Sequence, residues 1–556
     1  MKKILFVNLL ALPLFAQTPN AVVDRLLDRI VERERTFLDS AKKRTPVIET
    51  YIQEAPEGAL EDGRPSKDHY FLGRFQLGKT LGYETLIERS DAPQQKSGAW
   101  GPFHSSPKTR AMTFLARGFA QMAVVDLLDF NRQTYNFEYV RREFLGDVRC
   151  LVFDVSPRNR EQPGKFVGRI WVEDQDNSIV RFNGTYVQPP TVKGTTPERY
   201  FHFDSWRVNV GPAIWVPAQI YVEEAGAPEQ DGKAGVPRFK AQTRIWDYAA
   251  APANKMDELT RILIESGSAV KDQEASKDVS PLESQRSWER QAEENLLARL
   301  EKAGLVAPPG PVDEVLNTVV NNLLVSANLN VDARCRVMLT TPIETFSIGH
   351  TIVISRGLID VLPDEASLAM VIADELSHIV LGHRTQTQFA FSNQTMLSDA
   401  ELLKKLHLQR TPQEMLEAGR KTIDIMKASP YQKTGNAGLF LKELASRGSA
   451  LPRLLQANLG NQFANSDSLH RLAAFAAAAP ALEENKIEQI AALPLGSRVR
   501  VNPWSNQVTL VKTRPISLLS AREKMPFEIT PFALYLTRTQ ATGPESARTG
   551  KPPVAP

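Results

Sequence analysis

The chain has 556 residues, too many for one hydrophobic core and enough for roughly two to four domains. Hydrophobic residues make up 42% and charged residues 24%, a composition that lets most of the chain fold. The formal net charge of +3 comes from interspersed signs without a basic block, so no nucleic-acid partner is expected.

Lys2 and Lys3 open a short apolar run that ends at Ala16, the layout of a signal peptide (residues 1–16) cleaved before Gln17. The run is too short to cross a bilayer, and no later segment is apolar for long enough. The reading is an exported bacterial protein, periplasmic or secreted, that does not span a membrane. Cys150 and Cys335 fall in different proposed domains and are expected as two buried free thiols.

Residues 17–42 read as an N-terminal helix, with Val23, Leu26, Leu27, Ile30, Val31 and Phe37 at helical spacing. A β-rich domain follows over 43–250. Its strands are expected at 47–53, 70–76, 135–140, 151–155, 166–173, 178–185, 200–208, 214–222 and 239–248, separated by Gly, Pro and Asp clusters as in an antiparallel meander. Between them, Lys108 to Phe130 reads as a helix. The succession Val148 to Val155, Gly168-Arg-Ile-Trp-Val-Glu-Asp174, Ile179 to Phe182 and a long strand with Trp215-Val-Pro217 resembles the half-barrel of the LolA and LolB lipoprotein carriers. That resemblance implies a curved sheet whose concave face could take an acyl chain or an extended peptide. A closed β-domain with a filled interior is the alternative.

Residues 251–283 have the polar composition of a linker or helical connector. From 284 the pattern is helical over 288–300 and again over 312–326, then turns to short strands at 337–340, 344–348 and 349–355. Asp364 is placed to cap a long helix with Glu365 in its first turn, and Leu368, Val371, Ile372, Leu376 and Ile379 form its apolar stripe.

That helix carries Asp374-Glu-Leu-Ser-His378, which differs from the zinc-binding pattern H-E-x-x-H only at its first position. Residues four apart on a helix share a face, so two such side chains can grip one zinc while the residue after the first turns a carboxylate toward metal-bound water. Gly349 to Asp360, with Arg356-Gly-Leu358, then the motif helix and Gly382-His383, are similar to metallopeptidase family 48, the HtpX, BepA and CAAX prenyl protease type. The resemblance spans 284–480. It implies a zincin-like domain, a zinc cofactor, Glu375 as general base, and a peptide or envelope-protein substrate lying along an edge strand at Gly349, His350 and Ile352. It also implies a third ligand from a later E-x-x-A-D helix, where this chain has Met415 and Gly419, with Glu414 and Glu417 close by.

Aspartate is an acceptable zinc ligand but shorter than histidine, so Asp374, His378 and Glu414 or Glu417 form an altered and more anionic set. Two changed ligand positions point to reduced or lost peptidase activity. An active peptidase with Asp374 as ligand, and an envelope carrier or chaperone-like binding protein with lipid in the β-rich domain, are the alternatives. His383 lies about 500° round a continuing helix from His378 and would face away, unless the helix stops at Gly382. Residues 451–479 read as an Ala-rich helix, 481–540 as a small β unit with strands at 498–501, 508–512 and 532–537, and 541–556 as a disordered tail. The fold class expected is α+β and multidomain.

Overall fold

The computed structural model describes residues 19–55, 65–78, 81–87, 114, 119–187, 200–225, 239–249, 281–392, 397–433, 436–463, 472–483, 485–496, 498–511, 527–531 and 533–539. The expected signal peptide, most of the linker and the tail lie outside these residues. Among the described residues no helix is long and apolar enough to cross a membrane.

The chain opens with α1 (Pro19–Ala41) and then builds β1 (Val47–Glu54), β2 (Lys67–Leu77), β3 (Leu81–Ile87), β4 (Tyr135–Leu145), β5 (Val148–Pro157), β6 (Phe166–Glu173), β7 (Ile179–Tyr186), β8 (Tyr200–Gly211), β9 (Ile214–Ala225) and β10 (Phe239–Trp246). These form one open antiparallel sheet in the order β3-β2-β1-β10-β9-β8-β7-β6-β5-β4. The hairpin meander read from the turn residues is therefore present, and the sheet does not close into a barrel. Its inner face is filled. Phe182 packs edge-on against both Phe166 and Phe203, with α1 supplying Leu27, Ile30 and Leu38 to the same core. Of the helix expected over 108–130, Phe119 and Ala120 are helical, a 3-10 turn follows at Gln121–Ala123 and bends come after it, while 108–113 and 115–118 lie outside the described residues. Val124 leaves it in extended conformation, and this stretch packs Phe119, Ala123 and Val125 into the sheet's core instead.

The second half continues with α2 (Pro281–Lys302), α3 (Pro311–Ser326), β11 (Arg334–Met338), β12 (Glu344–Ile348), β13 (Thr351–Ser355), α4 (Arg356–Val361), α5 (Glu365–Val380), α6 (Asp399–Lys405), α7 (Pro412–Ala428), α8 (Asn436–Arg447), α9 (Pro452–Leu455), β14 (Asn461–Gln462), α10 (Ala473–Ala478), β15 (Val499–Val501) and β16 (Val508–Leu510). The four-stranded sheet runs β11-β13-β12-β14. Of the single helix expected over 451–479, the described residues hold the helices α9 and α10, with β14 lying between them in the chain and 464–471 outside the described residues. Gly460 and Asn461 break the helical run and extend the backbone against β12.

One apolar cluster spans both halves. Strand alternation sends Ile48 and Ile52 of β1 toward α1, while Val47 and Tyr51 face the helical half together with Tyr70, Leu72 and Trp246. Both faces of β1 are covered, which is why the strand is buried almost end to end. Polar contacts cross the same junction. Trp246 Nε1 donates to the Gly304 carbonyl at 2.6 Å, and Asp68 accepts from the backbone N–H groups of Arg453 and Leu454 at 2.9 and 2.7 Å. Burial is the largest influence on Asp68 and raises its carboxyl above the usual range despite those bonds. Residues 533–539 do not join the β15–β16 hairpin as a strand. Leu536 enters the apolar cluster of Val148, Trp171 and Trp206 on the outer face of the large sheet, and its carbonyl accepts from Asp147 N at 2.9 Å.

Candidate functional site

The site is built on α5, and the helix is fixed at both ends by its own sequence. Asp364 caps the N-terminus by accepting from Ser367 N at 2.8 Å. At the other end Gly382, at φ 71°, supplies the left-handed residue of a Schellman closure. His383 N donates to His378 O at 3.0 Å and Gly382 N to Ile379 O at 3.0 Å. This turn reverses the expectation for a continuing helix. It folds His383 back onto the motif and leaves His378 Nδ1 and His383 Nδ1 2.8 Å apart, so one ring donates to the other. His383 Nε2 in turn lies 3.5 Å from Glu417 Oε2, a surface carboxylate of α7.

Glu375 is wholly buried. Its carboxylate accepts from Thr345 Oγ1 at 2.8 Å, Ser347 Oγ at 3.1 Å and Asn461 Nδ2 at 3.1 Å. Thr345 and Ser347 are alternate residues of β12 and so face the same way, which lets one strand present two hydroxyls to one carboxylate. Arg410 ties this cluster down, donating to Ser347 Oγ at 2.9 Å while its backbone N–H donates to Asn461 Oδ1 at 2.9 Å.

Asp374 points at α7, where Thr422 Oγ1 lies 3.3 Å from Asp374 Oδ1 and 2.8 Å from the Ala418 carbonyl. Glu414 turns away from Asp374 and His378. It closes a capping box at the start of α7, accepting from Thr411 N and Thr411 Oγ1, both at 2.9 Å. Partial burial works against its charge, but those two bonds and the Arg410 charge hold its carboxyl below the usual range. Glu417 also accepts from Gln413 Nε2 at 3.0 Å.

The proposed substrate strand is not an edge. Ile352 sits in β13, which is parallel to β11 on one side and antiparallel to β12 on the other. Its backbone bonds are spent within the sheet, so no peptide can pair there. His350 is exposed with Nδ1 2.6 Å from the Asp332 carbonyl, and Gly349 N donates to Thr385 Oγ1 at 3.0 Å.

The residues present do not fit zinc as arranged. Among the described residues no three His, Cys, Asp or Glu side chains are grouped to hold a metal ion. Asp374 and His378 share a helix face, but Asp374 is turned to Thr422 of α7 and Glu414 is committed to its own helix end. Glu375 lies among donors that hold a carboxylate in place.

Sequence reasoning brought Asp374, Glu375 and His378 to one helix and missed Thr345, Ser347, Arg410, Thr422 and Asn461. The β12 pair alternates in the sequence and could have been read as a polar face. Asn461, far along the chain, carries no local signal.

Residues 312–426 match peptidase family M48. The match covers α3 to α7 and includes Asp374, Glu375 and His378. Residues 312–426 are thus metallopeptidase-like. A comparison with curated proteins finds no match. Among solved structures, the chain is similar to a DUF1329 family protein from Desulfovibrio piger, at 11% identity and TM-score 0.22, covering 42% of this chain and 98% of that one. It is also similar to a putative outer membrane lipoprotein-sorting protein domain from Vibrio parahaemolyticus, at 12% identity and TM-score 0.21, covering 42% and 97%. A third is the Pseudomonas aeruginosa MucA/MucB complex, at 9% identity and TM-score 0.13, covering 39% and 93%.

Proposed function

We propose that this chain is an exported, metallopeptidase-like protein whose M48 region has lost hydrolytic activity and serves to bind polypeptide. The observation that carries the reading is the environment of Glu375. A general base must reach the water it deprotonates, within hydrogen-bond distance and with a lone pair to spare. Glu375 instead accepts three side-chain bonds in a buried setting, one of them from a strand nearly ninety residues further along the chain. The changed ligand positions at Asp374 and Met415 agree with this reading.

Zinc content of the purified full chain, measured with cleavage of an unfolded protein substrate, tests the proposal. We expect substoichiometric zinc and no cleavage in the wild type. One zinc per chain, together with cleavage that Glu375→Gln abolishes, would overturn it and restore the active-peptidase reading with Asp374 as ligand.

A second reading, carriage of a small apolar ligand by the β-rich half, draws on a cavity of about 600 Å³ between α1, the β8–β9 turn and the tip of the β15–β16 hairpin. Phe37, Trp215, Val216 and Trp504 line it, with the buried Arg207–Glu34 ion pair at 2.7 Å in its wall. Lipid that co-purifies, and is lost on substitution of Ala41 by Trp in the wall, would support this role.

A further inference from the structure

The cavity beside α1 is lined by rings on its sides, cations at its mouth and polar groups at its floor. Phe37 of α1, Trp215 near the start of β9 and Trp504 at the tip of the β15–β16 hairpin supply the rings. The hairpin tip is held in place by the end of β10. Tyr248 N donates to the Pro503 carbonyl at 3.0 Å, and Asn506 accepts from Asp247 N at 2.9 Å and donates to Asp247 Oδ1 at 2.8 Å. Guanidinium groups already lie over two of the rings, Arg207 at 4.3 Å from the centre of Phe37 and Arg44 at 5.0 Å from that of Trp504. Paired rings gain more than the area they bury, whereas an aliphatic chain gains the area alone.

The charge of the lining is positive at the mouth. Arg33, Lys43 and Arg44 stand there, on α1 and just past its end. Arg33 Nε and Arg44 Nη1 donate to the main-chain carbonyls of Asp176 and Ala249, at 2.9 and 3.1 Å, which do not neutralise them. The carboxylate of the lining, Glu34, is engaged through both oxygens by Arg207 at 2.7 Å. The floor is polar as well. Arg207 and Tyr248 are buried there, and Arg207 Nε and Tyr248 Oη make no hydrogen bond to a described residue. An aliphatic tail driven inward would end against an ion pair and a phenol, and the sheet's inner face behind them is filled.

Building on the reading of this cavity as a carrier site, we propose that its ligand is a flat aromatic acid. The ring system stacks among Phe37, Trp215 and Trp504, and the carboxylate stays at the mouth with Lys43 and Arg44. A volume of about 600 Å³ suits a molecule of several rings. The rings supply the burial, and the cations fix the orientation and select the charge. Because Trp504 comes from the C-terminal hairpin and Phe37 and Trp215 from the β-rich half, the bound acid bridges the two.

Isothermal titration calorimetry of the full chain tests this with 2-naphthoate, its neutral counterpart 2-naphthalenemethanol, and palmitate below its micelle concentration. We expect 2-naphthoate to bind the wild type, the alcohol to bind at least about tenfold more weakly, and palmitate more weakly than the acid. Joint substitution Lys43→Gln and Arg44→Gln should weaken the acid at least about tenfold and change the alcohol far less, and added salt should show the same preference. Trp504→Ala, on the hairpin tip, should weaken both aromatic probes, and Ala41→Trp should exclude them. Equal affinity for acid and alcohol would overturn the acid. Palmitate binding more tightly than 2-naphthoate, and lost in Ala41→Trp, would overturn the aromatic class while carriage by this cavity stands. Binding of 2-naphthoate that survives both Trp504→Ala and Ala41→Trp would place the acid elsewhere and overturn the site. Failure of all three probes to bind would sink the ligand class and the carriage reading together.

Discussion

Arg356 of the M48 region and Glu49 of the first strand form an ion pair at 2.7 Å with both side chains 1% exposed. The pair joins the two halves of the chain. Glu49 also accepts from Thr341 N and Thr341 Oγ1, both at 2.6 Å, and from Tyr70 at 2.9 Å, while Arg356 Nε donates to the Leu339 carbonyl at 2.9 Å. Arg244 lies close enough that burial first, and then the Arg356 charge, pull its guanidinium below the usual range. The Arg-Gly-Leu element that marks the M48 resemblance is thus held by a residue of the other half.

Removing Glu49 should therefore cost far more than a surface ion pair. Glu49→Ala leaves Arg356 buried beside Asp360, 3.5 Å away, and the expected loss is about 3–5 kcal/mol. Urea denaturation of Glu49→Ala, Arg356→Met and the double variant checks this. The double variant should be less destabilised than the sum of the singles. Additive losses would show that the pair does not couple the halves.

Gly357 gives a second, steric prediction. A Cβ at this position would sit 1.7 Å from the Thr341 carbonyl oxygen, which is backbone and cannot swing aside. Gly357→Ala would normally favour a helix, yet here overpacking should destabilise by about 1–3 kcal/mol or more. A urea midpoint equal to or above wild type would contradict the close approach of α4 to the residues before β12.

Both thiols should be silent in the native protein. Cys150 and Cys335 are buried and free, and burial pushes the Cys150 thiol up to about 12 and that of Cys335 further still. The thiolate is the reactive form, so a disulfide reagent at pH 8 should titrate no thiol in the folded chain and two after denaturation. Rapid native reaction of either would place it at an exposed or opened site.

The parts legible in the sequence are those written locally. Asp364 as cap, the apolar stripe of α5 and the strand-turn rhythm of 148–246 each depend on residues within a few positions of one another, and each was found. The place of His383 depended on where the helix stops, and Gly382, the residue type that ends a helix in a left-handed turn, brings about the exception stated for it. Asn461 and Glu49 could not be read. Each reaches its partner across a sequence gap that only tertiary pairing closes, and neither lies in a motif. The 451–479 stretch is helical at Pro452–Leu455 and Ala473–Ala478 and departs from the expectation at Asn461–Gln462 for a related reason. Its alanines favour helix, but pairing of Asn461 with Thr345 outweighs propensity over those residues.

If Glu375 is a structural carboxylate, its replacement should register in stability. Glu375→Ala removes the acceptor shared by Thr345, Ser347 and Asn461 and leaves buried donors behind, at a cost of at least about 2 kcal/mol. Glu375→Gln should lose less, because its amide oxygen still accepts. Urea unfolding of both variants measures this. Stability equal to wild type in both would mean that the three bonds contribute nothing net, and the case against a catalytic role would weaken with them.

Asp126 provides the pH dependence. Burial alone would raise its carboxyl, but Lys165 Nζ at 2.8 Å, Tyr135 Oη at 2.6 Å and the N–H groups of Leu128 and Asp129 reverse the effect and hold it below its ordinary 3.8. A carboxyl with a folded value below the unfolded one stabilises the ionised, folded state. Its contribution is complete above the unfolded value and disappears as pH falls through the lowered folded one. The stability difference between wild type and Asp126→Asn should therefore stay level from pH 7 to about 5 and shrink below about 4. Chemical denaturation at a series of pH values reads it directly. A difference that instead grows on acidification would mean that burial wins over the four hydrogen bonds, and that Lys165 is held by Asp129 rather than by Asp126.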